Sequence, residues 1–103
     1  MPEPEVTPDG HHVLIKGRKW RATDPDLPDD VAATLRKELM SARRAVGQAL
    51  KAQDQAAERA ARDRVQRAKV ALGERGTPWW EQSEAERRAR WEPLYREMQG
   101  SQS

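Results

Sequence analysis

The stretch VAATLRKELMSARRAVGQALKAQDQAAERAARDRVQRAKVALGER, Val31–Arg75, decides the fold. It is dense in Ala and Arg, and its larger apolar residues recur at helical spacing. Val31, Leu35, Leu39, Ala42, Val46 and Leu50 form an i, i+3, i+4 stripe. Gln53-Asp54-Gln55 interrupts it, and Ala57, Ala61, Val65, Ala68 and Leu72 resume it, with Gly76 placed to end the helix. Two arrangements fit. Asp54 caps a second helix and the run folds into an antiparallel helical hairpin, or the run is one helix roughly 69 Å long at 1.5 Å per residue. The apolar phase survives the interruption, so periodicity does not decide. The hairpin is preferred because a small monomer cannot cover one long stripe, and because the Ala-rich second half permits close helix approach. The single long helix would need a second copy, as in a coiled coil.

Toward the N-terminus, Thr23-Asp24-Pro25-Asp26-Leu27-Pro28 reads as a turn leading into that run. Pro28 suits a first helical position, and Asp29 and Asp30 suit the positive end of a helix. Before it, His11–Ile15 and Arg18–Ala22 flank Lys16-Gly17 as a two-stranded hairpin, with Gly17 supplying positive φ. That register places Val13, Ile15 and Trp20 on one face, expected to pack on helix. Leu14, Lys16, Lys19 and Arg21 fall on the other. Met1–Gly10, with three Pro and three acids, is expected to be a disordered tail.

Toward the C-terminus, Thr77-Pro78-Trp79-Trp80-Glu81 is a turn with two bulky aromatics. Ser83 and Glu86 form a capping box that opens a third helix. Trp91, Leu94, Tyr95 and Met98 share one face of it, Pro93 should kink or split it near Ala89, and residues 100–103 should fray. The expected fold is mainly α. An N-terminal β-hairpin (11–22) packs on an antiparallel helical pair (about 28–75), closed by the Trp turn and a short C-terminal helix (77–98). Residues 11–99 form a single small domain.

A chain of 103 residues buries only a modest core. Without Cys there is neither a disulfide nor thiolate chemistry, which fits a reducing cytoplasm. No apolar run approaches the ~20 residues of a membrane span, and the acidic, Pro-rich start lacks the pattern of a signal peptide. The expectation is a cytoplasmic protein with no membrane association. The net charge of +2 conceals segregation: residues 31–76 hold eleven bases against five acids, whereas residues 1–30 hold seven acids against four bases. A basic middle of this kind presents a surface to an anionic partner or is solvated.

Chemistry-bearing patterns are few. His11 and His12 are adjacent, so on a strand they point to opposite faces and cannot readily chelate one metal. Nucleophile-elbow, phosphate-loop and dinucleotide motifs are absent. No catalytic residue, metal, cofactor or small-molecule substrate is implied, and a non-enzymatic role is expected. Two binding candidates remain. Trp79 and Trp80 could anchor a protein partner or a second copy, or could close the core. Lys16, Arg18, Lys19 and Arg21 around Trp20 could track a phosphate backbone, or could be ordinary solubilising surface. Arg43 and Arg44, with Arg36, Lys37, Arg59, Arg62, Arg64, Arg67 and Lys69, could extend that field.

The run HHVLIKGRKWRATDP (His11–Pro25), with LMSARRAV (Leu39–Val46) and AKVALGERGTPWWE (Ala68–Glu81), resembles a family of small uncharacterised bacterial proteins often labelled biopolymer transporter Tol. Its most specific parts are G-R-K-W-R-A-T-D-P and A-L-G-E-R-G-T-P-W-W. The resemblance implies a bacterial origin and brings no activity, ligand or catalytic residue. The first functional expectation is a protein-interaction or scaffold module. The second is a nucleic-acid-associated protein acting through the basic hairpin and Arg-rich helices.

Overall fold

The structure, a computed structural model, describes residues 5–100. Three antiparallel strands come first: β1 (Glu5–Val6), β2 (His12–Ile15) and β3 (Arg18–Arg21), ordered β1-β2-β3. Two long helices follow, α1 (Asp29–Ala52) and α2 (Gln55–Leu72). A single 3-10 turn at Trp79–Glu81 leads into α3 (Glu84–Gly100).

The run Val31–Arg75 is a helical hairpin. Its reversal is made by Gln53, which takes left-handed φ 55°, and by Asp54, whose side chain accepts from the Ala57 amide at 3.0 Å to cap α2. Ala42, Ala49, Ala61 and Ala68 are buried along α1 and α2, and their small side chains let the helices approach closely. The apolar stripe drifts near the reversal: Ala49 is buried there, whereas Leu50 is 53% exposed. The core gathers Leu27, Val31, Leu35, Leu39, Leu72 and Leu94, with Trp91, Tyr95 and Met98 packed against it. Leu35 and Leu72 are fully buried, and truncating either to Ala would cost about 2–5 kcal/mol.

Several expectations change in detail. The α2 helix stops at Gly73, not Gly76. Gly73 takes φ 86°, and its amide closes the last turn onto Val70. An added Cβ at Gly73 would lie 3.0 Å from Asp24 Cβ and 3.1 Å from Trp79 Cδ1, so the helix ends where the chain must pass closely. The α3 helix runs unbroken through Pro93. Proline removes one donor, and the carbonyl it orphans belongs to exposed Ala89, where water can bond it. Ser83 and Glu86 make the reciprocal capping box, at 3.0 and 3.2 Å.

The hairpin register is as expected, with Val13 opposite Trp20 and Ile15 opposite Arg18. Lys16 and Gly17 both take positive φ, 51° and 78°, which a two-residue turn of this hand needs. Part of the region expected to be a disordered tail is instead the third strand, with Val6 paired to Val13 and Glu5 to Leu14. The rest of the expected tails, residues 1–4 and 101–103, lies outside the described residues. The Val13–Ile15–Trp20 face does not bury itself on helix: Ile15 is 43% and Trp20 42% exposed.

The sheet is tied to the helices at one joint, where the strings GRKWRATDP and ALGERGTPWW meet. The Asp24 amide donates to the Leu72 carbonyl at 3.0 Å, and the Trp79 indole donates to the Ala22 carbonyl at 2.9 Å. Arg21 donates to the Gly76 carbonyl at 2.6 Å, and the Thr23 hydroxyl to Glu74 at 2.7 Å. These residues are occupied in holding the fold together.

Candidate anion-binding face

The joint accounts for the two tryptophans first. Trp79 is buried, with its indole N–H bonded and the Arg87 guanidinium 5.2 Å from its ring centroid. Trp80 stacks on His11 at 4.0 Å and 3°, meets His12 edge-on at 5.6 Å, and carries Arg21 at 5.8 Å. The pair is thus a clamp between the sheet and the 3-10 turn: Trp79 takes the core role, and Trp80 stays partly exposed beside it. Both imidazoles contribute ring contacts to that clamp.

The basic residues then sort by what they already touch. Arg64 forks onto Glu38 at 2.9 and 3.0 Å, Arg67 pairs with Glu97, and Arg87 with Asp24 and Asp26. Arg88 and Arg96 share Glu92. Arg18, Arg43, Lys69 and Arg75 have no carboxylate within ion-pair distance among the described residues, as is also true of Lys16, Lys19, Arg36, Lys37, Arg44, Lys51 and Arg59; what distinguishes the four is that they lie together. These four fall on one side of the molecule.

Their positions follow from strand pairing and helix phase. Arg18 and Trp20 are two apart on β3, so they share a sheet face, and the Arg18 guanidinium sits 4.9 Å from the Trp20 ring centroid. Lys69, in the last turn of α2, brings its Nζ to 5.8 Å from the same ring. Burial, followed by the charges of Arg75 and Arg43, pushes the Lys69 ammonium below the usual lysine range, with Glu74 opposing. Arg43, Arg62 and Arg75, with Val46, Val65 and Gln66, line an open cleft of about 440 Å³ between α1 and α2. Arg75 is steadied by Gln66 at 2.5 Å, and Arg62 pairs with Glu58 at 2.7 Å.

Of the sequence candidates, Arg18 and Arg43 reach this face. Arg21 is drawn into the joint. Lys16 lies in the exposed hairpin turn, and Lys19 is paired with Leu14 on the opposite sheet face. Arg44 is exposed, about 100° round α1 from Arg43. Lys69, one of the bases expected to extend that field, lies at the cluster's centre between Arg43 and Arg75. Its one signal was the i, i+4, i+7 spacing of Arg62, Gln66 and Lys69 beside the buried stripe of α2; Arg75 carries no such signal in the sequence.

Among the described residues no group of three His, Asp or Glu side chains could hold a metal, and no helix is long and apolar enough to cross a membrane. No protein family, curated protein or solved structure matches this chain. What this face offers chemically is a row of hydrogen-bond donors with uncompensated positive charge beside an exposed aromatic ring.

Proposed function

We propose that this chain is a non-catalytic binding module whose ligand is the phosphate backbone of nucleic acid. Arg43, Arg75, Lys69 and Arg18 make the contacts, and the apolar walls of the α1–α2 cleft sit beneath them. The observation that carries the reading is the convergence of Arg43 and Arg75 on one cleft with Lys69 and Arg18 beside the exposed Trp20 ring, none of the four with a carboxylate within ion-pair distance among the described residues. The free protein holds a partly buried ammonium beside two guanidiniums, and an anion would relieve that repulsion. Guanidinium forks suit phosphate oxygens.

The scaffold reading has less to use at the tryptophans, because Trp79 is buried and Trp80, partly exposed, is stacked on His11. It would draw on another surface, such as exposed Met40 and Leu50 on α1.

Charge reversal tests the proposal. Arg43→Glu combined with Arg75→Glu changes two exposed side chains and should leave the circular dichroism spectrum unaltered. Binding to labelled oligonucleotides should fall at least tenfold. Binding equal to that of the unaltered protein would refute it.

A further inference from the structure

We infer that the favoured ligand is a single strand, with an unstacked base resting on Trp20; this rests on the phosphate-binding reading above. Register puts Val6, Val13, Ile15, Arg18 and Trp20 on one face of the three-stranded sheet. That face is left open: Val6 is 55%, Ile15 43% and Trp20 42% exposed. A duplex keeps its bases stacked inside, so a sheet face with an aromatic ring among aliphatic side chains reaches them only by wedging open a base step, at an unstacking cost that a single strand does not incur. The sheet suits the flat face of a free base.

Charge says how the strand lies. Arg18 and Lys69 flank the Trp20 ring at 4.9 and 5.8 Å, and Arg75 and Arg43 continue the row into the cleft. Phosphates follow that row while a base covers the exposed part of the ring. Arg18 has no carboxylate partner among the described residues, so its guanidinium is free to move from the ring to a phosphate. The cleft, about 440 Å³, holds one nucleotide's phosphate and sugar rather than a double helix.

The test is fluorescence anisotropy with labelled oligothymidine and oligouridine of roughly 16 nucleotides, and with a duplex of equal length. The arms separate DNA from RNA, which a stacking platform does not distinguish by its π-face. Single strands should bind more tightly than duplex. Trp20→Ala should weaken single-strand binding about tenfold while leaving the slope of log affinity against log salt unchanged, since no phosphate contact is lost. Trp20→Phe should restore most of it. Equal binding of single strand and duplex, or an unaffected Trp20→Ala, would overturn this inference while leaving phosphate binding standing. Failure of every polymer to bind would overturn both. Because Trp20 is half-exposed, the Ala variant should fold. Should it not, Trp20→Phe and the strand-against-duplex ratio of the unaltered protein still decide.

Discussion

Asp24 and Arg87, sixty-three residues apart, are joined through both carboxylate oxygens: Nε donates to Oδ2 at 3.0 Å and Nη2 to Oδ1 at 2.6 Å. Asp24 is 5% exposed and also accepts from the Asp26 amide, so its charge has no recourse to water. Removing the guanidinium leaves a buried carboxylate unpaired. Arg87→Met is expected to cost about 3–5 kcal/mol, a large share of the stability of a small domain. Urea denaturation measures it, and a loss below about 1 kcal/mol, the range of an exposed pair, would show that the pair is not a structural anchor.

Two glycines should respond in opposite directions. Gly73→Ala forces a side chain into φ 86° and against Asp24 and Trp79, so it should destabilise by more than about 1 kcal/mol. Gly47 lies inside α1 with open space where a Cβ would go, so Gly47→Ala should stabilise by about 0.5–1 kcal/mol. Thermal melts should separate the pair clearly, at about 4–8 °C per kcal/mol for a domain of this size.

Lys69 is where stability and binding should conflict. Lys69→Met keeps the stem's packing and removes the like-charge crowding, so it should stabilise the free protein by a few tenths of a kcal/mol yet weaken nucleic-acid binding. Its pH signature has a definite sign. The folded-state pKa lies below the usual 10.5, so the unfolded chain binds the proton more tightly. The penalty is fully present below the lowered pKa and is relieved as pH rises from there through 10.5. The unaltered protein should therefore gain stability relative to Lys69→Met across that window. Parallel stability curves for the two proteins would contradict the lowered Lys69 pKa, which burial causes first and the charges of Arg75 and Arg43 second.

The helices and the hairpin were legible in the sequence because each rests on local signals. Asp54 caps, Gly17 turns, and the apolar residues on either side of Gln53 recur at helical spacing, although the stripe drifts at Leu50. What was not legible depends on contacts between distant segments. The helical pattern alone points to Gly76 as the stop, and it is the passage of Asp24 and Trp79 that places the stop at Gly73. The tryptophans illustrate the same limit. Composition cannot say that Trp79 and Trp80 are clamped by Ala22, His11 and Arg21 while Trp20 stays open. Nor can it say which arginines find carboxylates, since Arg64–Glu38 and Arg67–Glu97 span two elements each. The candidate face is the one place where several of the bases left over from those pairings gather around an exposed aromatic ring and a cleft. For the same reason, reversing Arg21, which holds the Gly76 carbonyl, would disturb the joint and make a poor test of binding.

The most direct test of the central claim is anisotropy of a labelled single strand with the unaltered protein, titrated from about 50 to 200 mM salt. If Arg18, Arg43, Lys69 and Arg75 each neutralise one phosphate, log affinity should fall linearly with log salt at a slope of about −3. No binding at the lowest salt, or an affinity indifferent to salt, would contradict the account.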